Sequence, residues 1–226
     1  MIKSRIALAG ALLAAAGAAN AGEFTVSPAI TTDYDFRGLS QTDEDPAFQL
    51  GANYAFDNGF YLGAWGSNVD FPGADADIEL DVFAGFSGGD ADESFAYDVG
   101  AILYAYPGSD DAEEVVELYA GLSKGMFSGK FWFSPDNYGD TSMYIEGNVK
   151  VPLPHNFALL GHVGYSFGDY WKPDEYVDYS VGVDYTVSNI TFNLKYVDVS
   201  KESFERSKNG NKFIFSVSTT LPWASE

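Results

Sequence analysis

The chain of 226 residues has no cysteine, which excludes disulfides, thiol nucleophiles and thiolate-held metals. It has two histidines, and its 12 Lys and Arg face 33 Asp and Glu. The formal net charge of −21 excludes nucleic acid as a partner, because phosphate is repelled by such a field. Beyond residue 18 the chain also lacks any apolar run of the ~20 residues that a membrane helix needs. Mean hydropathy is close to zero. Neither observation excludes a membrane protein. A closed β-barrel crosses lipid with every backbone group paired inside the wall, and its polar inner face keeps the average low.

The one long hydrophobic run lies at the start. Lys3 and Arg5 precede an apolar stretch from Ile6 to Ala18 that ends at Ala19-Asn20-Ala21. A charged segment, a short apolar segment and a small-x-small site together predict a signal peptide over residues 1–21, cleaved before Gly22. Loss of Lys3 and Arg5 takes the net charge from −21 to −23. Residues 22–226 then form an exported chain without a linker or composition break, hence one domain.

From Phe24 onward the pattern is apolar/polar alternation in segments of about ten residues. In Ile78-Glu79-Leu80-Asp81-Val82-Phe83-Ala84-Gly85-Phe86, the residues Ile78, Leu80, Val82, Ala84 and Phe86 share one face. Glu79, Asp81, Phe83 and Gly85 share the other. The same pattern predicts strands at Phe24–Phe36, Ala47–Phe56, Phe60–Val69, Ile78–Ser87, Phe95–Tyr106, Val115–Ser123, Phe127–Ser134, Ser142–Val151, Phe157–Phe167, Tyr176–Thr186, Ile190–Val197 and Lys212–Leu221. Tight turns such as Asp57-Asn58-Gly59 and Lys124-Gly125 alternate with longer acidic connections, among them Arg37–Pro46, Asp70–Asp77 and Asp198–Asn211. The fold class is therefore all-β, a transmembrane antiparallel β-barrel of about twelve strands, with short periplasmic turns and longer surface loops. Phe48, Leu50, Val99, Val181 and Phe215 are expected on the lipid face, and Phe56 with Phe60, Tyr165 with Phe167 and Tyr34 with Phe36 in aromatic girdles. A soluble β-sandwich also alternates, but its strands usually run about 5–6 residues and need no girdle.

The inner face carries the chemistry. Its acids are Asp33, Asp35, Glu79, Asp81, Asp98, Glu117, Glu146, Asp178 and Asp184, and its bases are Arg37, Lys130, Lys150, Lys195 and Lys212. These are the candidate pore-lining residues. One reading is a pore whose charge rings prefer cations. The other is a closed structural or surface-interaction barrel, its lumen filled by salt bridges and by Trp65, Phe83, Tyr104, Tyr119 and Trp132. Asp75 and Asp77 extend the column of Glu79 and Asp81, and they are weak candidates for a hard cation. They lack the glycine and closing glutamate of an EF-hand, so no metal cofactor is expected. Catalysis is not expected either. His155 lies in a turn, and Ser166 sits on the face of His162 but roughly 13 Å away by strand rise, too far for general-base contact. Expected partners are outer-membrane lipid and lipopolysaccharide, with small solutes or cations in transit through a monomer.

The motifs Tyr34–Thr42 (YDFRGLSQT), Asn58–Phe71 (NGFYLGAWGSNVDF), Ala76–Gly85 (ADIELDVFAG), Tyr97–Asp111 (YDVGAILYAYPGSDD), Glu117–Gly121 (ELYAG), Ser134–Gly139 and Val151–Gly164 (VPLPHNFALLGHVG) resemble the TorF family of porins, also described as Gcw-type conserved hypothetical outer-membrane proteins. The resemblance spans nearly the whole exported chain. It implies a pore-forming barrel in the outer membrane of a Gram-negative bacterium, and it assigns no residue roles. Such barrels generally finish on an aromatic, whereas Trp223 is followed by Ala224-Ser225-Glu226. That departure implies either altered recognition by the barrel-assembly machinery or a Trp223 that serves from an internal position.

Overall fold

The computed structural model describes residues 22–71, 74–201 and 211–222; the predicted leader and Trp223 lie outside the described residues. In chain order the strands are β1 (Glu23–Thr31), β2 (Asp35–Phe36), β3 (Leu39–Ser40), β4 (Ala47–Ala55), β5 (Phe60–Asn68), β6 (Ile78–Gly89), β7 (Ala96–Ala105), β8 (Val115–Lys124), β9 (Phe127–Asn137), β10 (Asp140–Leu153), β11 (Phe157–Phe167), β12 (Tyr176–Val187), β13 (Ile190–Val199) and β14 (Asn211–Thr219). From β4 to β14 each strand pairs with the next, and β1 pairs with both β4 and β14, closing a twelve-stranded antiparallel barrel. Closure leaves the wall without an edge strand, so no row of N–H and C=O groups faces lipid unpaired. The two sides of β1 differ. It matches β4 from Glu23↔Ala55 to Thr31↔Ala47, but β14 only from Ala29↔Ser218 to Thr31↔Ser216. Pro28 has no N–H to give at this seam.

Period-two alternation sets what faces lipid and what faces the lumen. On β6, exposed Ile78, Leu80, Val82, Ala84 and Phe86 alternate with buried Glu79, Asp81, Phe83 and Gly85. Phe48, Leu50, Val99, Val181 and Phe215 are all exposed on the outer wall. Phe56, Phe60 and Phe86 pack in series as tilted pairs at the short-turn rim, with centroids 5.4 and 5.2 Å apart, and Tyr165 stacks on Phe167 at the other rim. The interior, by contrast, holds a packed cluster that includes Tyr104, Trp132, Tyr144 and Tyr176. This inside-out burial gives a direct expectation. Val181→Arg should cost about 2–4 kcal/mol of stability in a bilayer, because an arginine at midplane must leave water. Urea unfolding in lipid vesicles measures it, and a cost below about 0.5 kcal/mol would place this face outside the hydrocarbon.

Two segments differ from the sequence reading. The first wall strand ends at Thr31 rather than Phe36, and the Arg37–Pro46 connection does not stand out as a surface loop. Residues 32–42 turn inward instead, and the β2–β3 hairpin, which pairs Asp35↔Ser40 and Phe36↔Leu39, is buried in the barrel. Asp35 and Phe36 are genuine β-structure, but in this insert and not in the wall, so Tyr34 and Phe36 are buried in the lumen instead of standing in an aromatic girdle. Between them, Arg37 (φ 49°) and Gly38 (φ 81°) make a two-residue turn of the kind that favours glycine second. Gly38 also lies against the wall: a Cβ there would sit 2.3 Å from Val199 Cγ1 and 2.8 Å from Asp178 Cβ. The second difference lies between the strands predicted to end at Ser134 and to begin at Ser142. Their connection shrinks to Tyr138-Gly139, because β9 continues to Asn137 and β10 begins at Asp140.

Candidate functional site in the barrel lumen

The inserted hairpin brings Arg37 against β8. Its Nη1 and Nη2 donate to Glu117 Oε1 and Oε2 at 2.9 and 2.8 Å, a bidentate pair with both side chains about 3% exposed. The guanidinium carbon lies 4.2 Å from the Tyr144 ring centre, 4.6 Å from Phe36 and 5.7 Å from Trp132. Planar stacking and a forked pair are what arginine offers and lysine does not. The Tyr176 hydroxyl donates to Arg37 O at 3.0 Å, tying the tip of the hairpin to β12.

The base of the hairpin is held by its own polar residues. Ser40 and Thr42 donate to Asp33 Oδ1, the Gln41 N–H donates to Tyr34 O at 2.7 Å, and the Gln41 side chain donates to Leu39 O. Lysines from the wall complete the anchorage. Lys212 Nζ lies 2.6 Å from Asp33, and Lys195 Nζ lies 2.9 Å from Asp35. Asp33, Asp35 and Arg37 therefore sit on the insert, opposite the wall that the alternation had assigned them to.

The remaining candidates do lie on the inner wall, and most are paired. Lys130 binds Asp98 at 2.6 Å and also faces the rings of Tyr119 and Trp132. Tyr61 donates to Asp98 as well. Lys150, largely exposed, binds Asp184 at 2.9 Å. Glu146 accepts from Trp132 Nε1 and from Asn148. Asp178 accepts from the Tyr144 hydroxyl at 3.1 Å, and His162 Nε2 lies 2.8 Å from it. His162 is thus a bridging member of a network with Asn148 and Tyr144. Glu79 and Asp81 stand apart. Both are fully buried, and neither meets a base among the described residues.

Asp75 and Asp77 are not brought to this group: both are exposed at the rim, while Glu79 and Asp81 are buried below them. Asp75 instead accepts from Ser109 at 2.6 Å and from the backbone N–H groups of Asp110 and Asp111. Those hydrogen bonds, Ser109's first, lower its pKa below the usual carboxylate value. Among the described residues no three acidic or imidazole side chains converge on one point for a metal.

Burial changes along the barrel axis. On the loop side of the lumen Tyr104, Ser134, Ser142, Tyr144, Ser166 and Tyr176 are fully or nearly fully buried around the hairpin. Toward the short-turn rim the inner positions Asn53, Ser123, Ser128, Asn148, Thr191 and Ser216 are only half-buried. The loop-side half is a packed core, and the short-turn half a polar vestibule. Sequence reasoning missed the phenols that act as lumen donors (Tyr34, Tyr61 and Tyr144) and the hairpin residues Ser40, Gln41 and Thr42. The signal available for the hairpin was the Arg37-Gly38 turn flanked by Phe36 and Leu39.

A closed twelve-stranded wall with an apolar exterior, a charged interior and an inward-folded first connection defines a porin-type barrel. Residues 15–221 match the model of Gcw_chp, a bacterial protein family of unknown function, and the chain belongs to that family. No curated protein matches the chain. Among solved structures, the KdgM porin is similar with a TM-score of 0.57 at 11% identity, covering 89% of this chain and 99% of its own. The NanC porin gives a TM-score of 0.54 at 10% identity, covering 88% and 98%. At such identities the likeness is one of fold.

Proposed function

We propose that the protein is an outer-membrane channel that passes small hydrophilic solutes by passive diffusion, cations ahead of anions, when the β2–β3 hairpin leaves the outer half of the lumen. The observation that carries this reading is the polar vestibule: half the inner wall is lined by hydroxyls, amides and charges open to solvent, which a barrel serving only as a scaffold does not need. The porin fold of the similar structures and the resemblance to TorF-type porins support it. Cation preference follows from the acid excess of the wall. The exported chain, residues 22–226, would reside as a monomer in the outer membrane of a Gram-negative bacterium, its acidic loops meeting lipopolysaccharide.

A second reading is favoured by a specific observation. The hairpin is bound by a buried bidentate pair, two lysine bridges and an aromatic cage, and such packing suits a permanently closed structural barrel. Single-channel recording in planar bilayers separates the two. The channel reading expects discrete steps with a reversal potential displaced toward potassium. Bilayers with verified insertion that stay silent across voltage would leave the closed barrel standing.

A further inference from the structure

Among the described residues, Glu79 and Asp81 are the two lumen acids without a basic neighbour. Among the described residues Asp33 and Asp35 have Lys212 and Lys195, Asp98 has Lys130, Glu117 has Arg37, Asp184 has Lys150, and Glu146 and Asp178 share His162. Glu79 and Asp81 follow one another on the inner face of β6, both at 0% exposure. Glu79 receives the Tyr34 hydroxyl on Oε1 at 2.8 Å, and Tyr106 bonds the same side chain. Among the described residues neither oxygen of Asp81 has a hydrogen-bond partner, and Glu79 and Glu117 are near enough to act on it electrostatically. A desolvated carboxylate with both oxygens unmet, beside two others of its own sign, is strongly unfavourable unless positive charge sits with it.

We propose that Glu79 and Asp81 form a binding site for a small monovalent metal cation, potassium or sodium, in the outer half of the lumen. Hard cations take oxygen ligands, and carboxylate and phenol oxygens are what this site presents. A third acid, Glu117, is already committed to Arg37, so the carboxylate oxygens on offer come from Glu79 and Asp81 alone. The ion offsets part of the uncompensated charge beside the hairpin, so Tyr34, which reaches Glu79 from the insert, ties the hairpin's position to the occupied site. Nothing in this depends on conduction, because a closed barrel holds an ion as well as an open one. Current tests the channel and stability tests the site, so each can fail alone.

The experiment is thermal unfolding of the full protein in detergent, with potassium, sodium or N-methylglucamine chloride at one ionic strength. The midpoint should be higher in potassium or sodium, rising by about 3 °C per tenfold increase in cation above its dissociation constant. Asp81→Asn should abolish that dependence without lowering the midpoint in N-methylglucamine, since it removes an uncompensated charge. Glu114→Gln, an exposed acid, should leave the dependence intact. Should Asp81→Asn not assemble, Glu79→Gln serves the same comparison. Equal midpoints for the parent in all three salts would overturn the proposal, since a pair that neutralises itself with a proton does not distinguish them. A response to calcium alone would overturn it as well.

Discussion

Glu117→Gln is expected to destabilise the barrel by about 3–5 kcal/mol, the cost of leaving a buried charge without its partner. Among the described residues Arg37 has no other carboxylate in contact, and it is about 5% exposed, so the guanidinium cannot recover its loss from water. The stacked Tyr144, Phe36 and Trp132 rings soften the loss by cation–π attraction but cannot replace a counter-ion. The paired substitution Arg37→Met with Glu117→Gln should regain most of the stability, because removing both charges leaves neither stranded. Urea titration in lipid vesicles reads both variants. If the single and double variants unfold together, Arg37 reaches water after all and the hairpin is loosely held. The contrast with the exposed pair Lys172–Asp169 is instructive. That bridge has the same 2.9 Å length but both side chains 63% exposed, and exposed pairs contribute little.

How much of this was legible in the sequence follows from what period two encodes. Alternation states which side chains share a face, and register then decides which of two faces is buried. The twelve wall strands and their lipid-facing residues were readable for that reason: Phe48, Val99 and Val181 stand on the outer wall. The same signal could not tell a wall strand from an inserted one. Tyr34-Asp35-Phe36 alternates equally well in either, and only the three-dimensional closure of β1 against β14 decides where the wall stops. The identity and sign of the lumen charges were legible too, but their pairing was not. Arg37 meets Glu117 across 80 residues, and Lys195 meets Asp35 across 160. Such partners are fixed by the curvature of the wall and the depth of the insert. A closed lumen was expected to be filled by salt bridges, yet among the described residues Glu79 and Asp81 gain none. Lys130, Lys150, Lys195 and Lys212 are taken by Asp98, Asp184, Asp35 and Asp33.

Replacing Asp35–Ser40 by a short glycine linker should convert a silent or rarely conducting barrel into one with frequent current steps. The argument turns on water. A point substitution at Glu117 strands Arg37 because the surrounding core stays dry. Removing the hairpin takes out Phe36, Arg37 and Leu39 together, and the outer lumen then fills with solvent. Wall charges freed by the excision, Glu117 and Lys195, are hydrated instead of stranded, so the wall, held by its ladder of paired strands, remains closed. The exposed inner wall then presents Glu79, Asp81, Asp98, Glu117, Glu146, Asp178 and Asp184 against Lys130, Lys150, Lys195 and Lys212, an excess of acid. Such a field concentrates cations, so potassium should pass ahead of chloride by on the order of tenfold at low ionic strength. The preference should fade as salt rises, because the screening length falls from about 10 Å at 0.1 M to about 3 Å at 1 M. Reversal potentials across a salt gradient, recorded at two ionic strengths, measure it. If the excised barrel inserts yet conducts no more than the parent, the hairpin is not what closes the lumen, and the packed phenols of the wall around Tyr104 and Tyr144 are.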